Sequence, residues 1–155
     1  MSDLVVLDTG PLGLFVHPTQ PPLFKAWVSG LGTGGVPVAV PEISHYELRR
    51  ELLRMGQSTS LRMLEAFVRA VRFLPADSAV FTRAAELWAQ ARREGRPTAD
   101  ARALDGDMLL AATVQLLRED GVDAVIATTN VRHLAPFVPA YEWQTLDPRS
   151  GSVIS

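Results

Sequence analysis

Four acidic positions and one amide fall where an alternating α/β chain can do chemistry. Asp8 ends the apolar run Leu4-Val5-Val6-Leu7, and Glu47 lies in the stretch after the second apolar run. Asp105 and Asp107 flank Gly106 just before a long apolar segment, and Asn130 closely follows the last apolar run, Ala124 to Thr128. In an open α/β sheet, ligands bind beyond the carboxyl ends of the strands, where the strand order reverses, so all of these positions can converge on one edge. Such a group offers only oxygen donors. It suits a hard divalent cation such as Mg²⁺, which keeps several waters and takes only one or two carboxylates directly. Each acid also has a plainer reading: Asp8, Asp105 and Asp107 as helix caps or first-turn residues, Glu47 as part of a solvated helix face. Their conjunction favours a site. Capping is compatible with it, because a helix N-terminus stabilises the ionised carboxylate that binds metal.

Other chemistries find little support. With no cysteine in the chain, disulfides, thiolate zinc sites and a cysteine nucleophile are excluded, so a metal must be held by oxygen or imidazole. His17, His45 and His133 lack the close spacing of a zinc site and read as surface or core residues, with His133 nearest the acids. There is no GxGxxG, no GxxxxGK[ST] and no GxSxG. A phosphatase of the haloacid dehalogenase type also places an aspartate after its first strand. It needs a second one two residues later, where this chain has Gly10.

Stepping from the acids to the elements that must carry them, Leu4–Leu7 reads as a buried parallel strand that turns into a helix near Pro11. A helix over Pro21–Leu31 is followed by a strand over Val36–Val40, whose Pro37 indicates a strand start or an edge. Amphipathic helices are expected over Pro41–Met55 and Ser58–Ala70, then a strand over Val71–Pro75 and a helix over Ser78–Glu94 capped by Asp77. After a polar loop over Thr98–Gly106 come a helix over Asp107–Arg118, a strand over Asp123–Thr128, a short helix near Asn130–Leu134 and an edge strand over Tyr141–Leu146. This alternation implies a three-layer α/β/α domain over residues 1–146, with a central, mainly parallel sheet of four to five strands; residues 147–155 read as a flexible tail.

The chain of 155 residues, 47% of them apolar, has the size of one domain with a proper core. No apolar run is long enough to span a membrane and the start lacks the pattern of a secretory signal, which leads us to expect a cytoplasmic protein. A net charge of -2 gives no global attraction to nucleic acid, so a polyanion would have to be met by local basic groups or a bound cation. Of the 15 basic residues all but Lys25 are arginine. Arg49, Arg50 and Arg54 share a helix with Glu47, and Arg92, Arg93 and Arg96 precede the polar loop. The default for both groups is a solvated face, with phosphate contacts as the sharper alternative.

Four blocks in order carry a resemblance. They are Val5-Val6-Leu7-Asp8-Thr9-Gly10-Pro11-Leu12, Pro41-Glu42-Ile43-Ser44-His45-Tyr46-Glu47-Leu48, Leu104-Asp105-Gly106-Asp107-Met108-Leu109, and Ala127-Thr128-Thr129-Asn130-Val131-Arg132-His133-Leu134. From about Leu4 to Val138 the chain resembles the PIN-domain family, most closely the VapC-type toxins of bacterial and archaeal toxin-antitoxin pairs. The resemblance implies a PIN-like fold and a Mg²⁺- or Mn²⁺-dependent endoribonuclease, in which a metal-activated water hydrolyses RNA to a 3′-hydroxyl and a 5′-phosphate. Asp8, Glu47 and Asp107 match the catalytic, metal-binding acids, and Asp105 is an additional acid of the same turn. Thr9, Thr128 and Asn130 are expected to position substrate or water, and Arg49, Arg50, Arg102 and Arg132 to contact RNA phosphates. Many members carry an aspartate where Asn130 stands. An amide adds no charge, so one metal ion is expected rather than two. The resemblance also implies a cognate antitoxin partner and a homodimer. The rival of another class is a catalytically weak or silent PIN-like module that binds RNA or protein.

Overall fold

A computed structural model describes residues 2–96 and 105–154. Its sheet is built from β1 (Leu4–Leu7), β2 (Val38–Pro41), β3 (Arg72–Leu74), β4 (Ala124–Thr128) and β5 (Ala140–Glu142), in the order β3-β2-β1-β4-β5. All four pairings are parallel. The expected α/β sheet is therefore present, with five strands, all parallel, among the described residues. The helices are α1 (Thr9–Phe15), α2 (Pro22–Gly34), α3 (Glu42–Arg54), α4 (Ser58–Ala70), α5 (Ser78–Arg93), α6 (Gly106–Glu119) and the short α7 (Val131–Leu134).

Alternation of side chains along a strand gives the sheet two faces, and both are dry. Leu4 and Val6 join Leu87, Met108, Leu110, Ile126 and Leu134 in one core, while Val5 and Leu7 join Leu12, Phe24, Trp27, Leu64 and Trp143 in the other. The second core is aromatic, with Phe24 edge-on to both Phe15 (5.0 Å between ring centres) and Trp143 (5.1 Å). From β1 at the centre the chain moves outward to β2 and β3 on one side and later returns to β4 and β5 on the other. The reversal falls between β1 and β4, whose register runs Leu4 to Ala124 through Leu7 to Ala127. A crevice at that switch opens at the carboxyl ends of these two strands.

Local boundaries differ from the sequence expectation in understandable ways. Helix α1 starts at Thr9, two residues before Pro11, because Asp8 caps it by accepting from the Thr9 amide (2.7 Å). Helix α6 starts at Gly106 rather than Asp107, because Asp105 caps it by accepting from the Met108 amide (3.2 Å). Pro37 lies just before β2, which has a neighbour on both sides, so the proline marks the strand start and not an edge. The last strand is shorter than Tyr141–Leu146, since a 3₁₀ turn takes Trp143–Thr145. The polar loop expected over Thr98–Gly106 lies mostly outside the described residues, as does Arg102.

The segment read as a tail turns back over α2. Asp147 closes the turn by accepting from the Arg149 amide and the Ser150 hydroxyl, and Leu146 bridges Val153. Ser2 donates from its amide to Ser150 O (3.1 Å) and from its hydroxyl to Gly151 O (2.6 Å). Trp27 Nε1 donates to Leu146 O (3.0 Å). At Gly34 an added Cβ would lie 2.1 Å from the Arg149 carbonyl oxygen, so glycine is what lets the returning backbone approach the helix. Among the described residues no helix is long and apolar enough to cross a membrane. We expect Gly34→Ala to destabilise the protein by about 1–3 kcal/mol through this overpacking, read as a lowered Tm together with faster proteolysis beyond Asp147.

Candidate active site

The site is assembled at the β1–β4 switch, starting from Asp8. The Asp8 amide donates to Ala127 O (3.0 Å), continuing the β1–β4 ladder one residue past the strand. Thr128, the last residue of β4 and fully buried, then donates its hydroxyl to Asp8 Oδ2 (2.7 Å). The Thr128 oxygen accepts from the Asn130 amide (2.7 Å), so a relay from backbone through hydroxyl to carboxylate fixes the Asp8 rotamer. Its other oxygen, Oδ1, is the helix cap. Cap and site residue are thus one side chain.

Thr9 extends the arrangement to the next element by donating its hydroxyl to Glu47 Oε1 (3.1 Å). Glu47 leans from α3 across the start of α6. A Cβ at Gly106 would lie 2.9 Å from Glu47 Oε2, a separation that real Cβ atoms do not adopt. A side chain between Asp105 and Asp107 would push the Glu47 carboxylate aside, so the glycine leaves that acid its place over α6. Burial pushes the Glu47 carboxyl above its ordinary range; the Thr9 hydrogen bond opposes that, the charge of Asp8 adds to it, Arg50 opposes it and Asp105 adds to it.

Asp107 lies in the first turn of α6. Burial raises its carboxyl from the ordinary 3.8 to about 6; the charges of Asp8, Asp105 and Glu47 push the same way and His133 opposes them. Its Oδ2 accepts from Asn130 Nδ2 (3.3 Å) and lies 3.9 Å from His133 Nδ1. An ionised carboxylate only accepts, so it is the Asn130 amide nitrogen that turns to Asp107 and tethers it. His133, weighed as a surface or core residue, is partner to this acid.

Asp8, Glu47, Asp105 and Asp107 thus come from three separate chain segments and act on one another electrostatically. Their mutual repulsion is what a bound cation would relieve, and the all-oxygen set fits a hard divalent ion. In this arrangement, however, no three histidine, aspartate or glutamate side chains among the described residues form a ready ligand cage. The oxygens of Asp8 and one oxygen each of Glu47 and Asp107 face donors of the protein instead. Small rotations of a carboxylate change which oxygens meet, whereas the clustering is fixed by helix starts and strand ends.

The basic residues are dispersed. Arg49 pairs with Glu65 of α4 (3.0 Å), and Arg50 stacks over the Tyr46 ring at 5.2 Å from its centre. Arg132 is exposed on α7 next to His133. Arg50 acts on Glu47 through its charge, and Arg132 lines a small hollow with Arg96 and His133.

No family model and no curated protein matches the chain in sequence. Solved structures do match in shape. A chain of the DNA-bound VapBC complex from Salmonella typhimurium aligns with TM-score 0.68 at 19% identity, covering 92% of this chain and 99% of that one. A chain of VapBC2 from Rickettsia felis, bound to a DNA fragment from its promoter, gives 0.69 at 15% identity over 90% and 98%. FitAcB from Neisseria gonorrhoeae gives 0.59 at 20% identity over 92% and 99%. The fold is PIN-like, as the sequence resemblance implied, over nearly the whole length of these chains.

The raised Asp107 carboxyl carries a signed consequence for stability. A carboxyl that ionises less readily when folded costs nothing below the unfolded value of 3.8, and its cost grows as pH rises towards about 6. In EDTA, Asp107→Asn is expected to raise stability above pH 6 by roughly 1–2 kcal/mol, since solvent screens part of the repulsion at this half-buried carboxyl. Below pH 4 the gain should vanish. Thermal melts of both proteins across this range would check it, and equal Tm differences at all pH values would contradict the coupling.

Proposed function

We propose that this chain is a metal-dependent endoribonuclease, the toxin half of a toxin-antitoxin pair, with Asp8, Glu47, Asp105 and Asp107 as the acids that hold one Mg²⁺ or Mn²⁺. The observation that carries the reading is the electrostatic coupling of these acids at the β1–β4 switch, where Asp107 is pushed up to about 6. Bound there, the cation supplies a water of lowered pKa and neutralises charge on the scissile phosphate. The chain's own residues do the rest. Thr128 and the Thr9 amide fix the Asp8 carboxylate at the mouth of the crevice. Thr9 holds Glu47 over the start of α6, and Asn130 tethers Asp107. Arg132 and Arg50 are the cations placed to meet flanking phosphates of an RNA strand, which would leave a 3′-hydroxyl and a 5′-phosphate after hydrolysis.

The partner reading rests on the shape match to chains of VapBC and FitAB complexes, which supports a cognate antitoxin. It is consistent with a groove of about 420 Å³ lined by Ile43, Tyr46, Phe81 and Leu109, where Tyr46 and Phe81 are each about half exposed. A homodimer and a cytoplasmic setting belong to the same proposal. One observation favours a second reading. With Asn130 in place of an acid and no three ligands among the described residues forming a cage, the chain would be a silent RNA- or protein-binding module.

Cleavage of RNA by the purified chain in Mg²⁺ or Mn²⁺, with EDTA as control, separates the two. Asp8→Asn and Asp107→Asn are each expected to lower the rate by a hundredfold or more, about 3 kcal/mol of barrier, with the fold kept. Metal-independent cleavage, or full activity of both variants, would overturn the nuclease assignment; RNA binding without cleavage would support the module.

A further inference from the structure

The described residues contain one buried side-chain polar atom without a hydrogen-bond partner, the hydroxyl of Ser44, on a residue with no exposed surface. Buried polar groups are almost always satisfied, so an orphan calls for a physical reason. Serine or threonine inside a helix commonly bonds back to the carbonyl four residues earlier. Thr113 of α6 does so, donating to Leu109 O (2.8 Å). Ser44 lies too near the start of α3 for that, because four residues before it the chain is still in β2.

Its position on the helix says where the hydroxyl lies. Residues three and four apart share a helix face. Ser44 therefore sits one turn before Glu47, whose carboxylate rests on Gly106 of α6, and Leu48, whose Cδ1 would be 3.7 Å from a Cβ on Gly13 of α1. That face looks into the junction of α1, α3 and α6, the two partner helices whose first residues carry Asp8 and Asp105–Asp107. Thr9 donates to Glu47 Oε1 (3.1 Å), and no described residue donates to Oε2.

We propose that Ser44 is a positioning residue for Glu47, holding one buried water between its hydroxyl and the carboxylate oxygen that Thr9 does not reach. The serine donates to the water and the water donates to Oε2, so the buried hydroxyl is satisfied through the acid one turn on, which is the usual work of a buried water. Glu47 is then fixed from two sides, by Thr9 and by the water. The inference deepens the preceding reading, since Glu47 matters there as a metal-holding acid.

Ser44→Ala, Ser44→Cys and Ser44→Thr in the full chain test it. In EDTA the alanine and cysteine variants are expected to lose about 3 °C or more in Tm, and Mn²⁺ affinity, measured by calorimetry, to weaken about tenfold. Ser44→Thr, which keeps the hydroxyl, should restore Mn²⁺ affinity towards wild type. A serine serving only as a small spacer gives the opposite sign: removing an orphan hydroxyl would leave Tm unchanged or raise it, with Mn²⁺ affinity untouched, and that result overturns the proposal. If Ser44→Thr does not fold, the alanine and cysteine variants decide alone. If the wild-type chain binds no Mn²⁺, the metal reading of Glu47 fails, while the melts in EDTA still decide for or against the bridge.

Discussion

The hydrogen bond from Thr128 to Asp8 is the joint on which the site depends. It crosses from β4 to β1 at the place where the sheet reverses its order, and it ties together residues 120 positions apart. Around it the other groups take their places in sequence. Asp8 caps α1, which puts Thr9 at the first helical position, and Thr9 reaches Glu47. The Asn130 amide completes the Thr128 hydroxyl from the other side, and the Asn130 side chain reaches Asp107. A charged carboxylate at the end of a buried strand would be costly if unpaired. Here a buried hydroxyl and a helix start both stabilise it.

The second constraint is space. Glu47 approaches α6 so closely that a side chain at position 106 would displace its carboxylate, and the returning C-terminal segment approaches α2 so closely that only glycine fits at position 34. The first contact is with the Glu47 carboxylate and the second with the backbone at Arg149, and the two glycines stand at the start of α6 and at the end of α2. The two faces of the sheet are filled by separate cores, and α3 is the helix that serves both, with Ile43 in one and Leu48 and Leu52 in the other. Glu47 lies between those two packings, which makes its position a property of the whole domain.

Much of this was legible in the sequence because it depends on short-range signals. A continuous apolar run ended by Asp-Thr-Gly-Pro marks both the buried strand and its cap, and Asp77 and the acids before α6 show themselves as helix starts. What stayed hidden depends on distant neighbours. The close approach at Gly106 is set by a glutamate on another helix, the deficit at Ser44 by a strand-to-helix junction, and the pairing of Arg49 with Glu65 by the packing of α3 on α4. The segment after Asp147 looked like a tail because its polarity is that of one. Its order rests on an aspartate-closed turn and on two hydrogen bonds to Ser2 at the other end of the chain.

The long reach of the Thr128–Asp8 bond also has a consequence in time. A chain made from its amino end has β1, β2 and the helices between them available well before β4, yet Asp8 has no hydroxyl partner and Asp107 no amide tether until residues 128–130 have emerged. Parallel pairings between distant segments are also slow to form, because the loop between them must be closed first. The acids can therefore converge only after most of the domain has been synthesised and folded. A nascent chain still on the ribosome carries the site's residues but not the site.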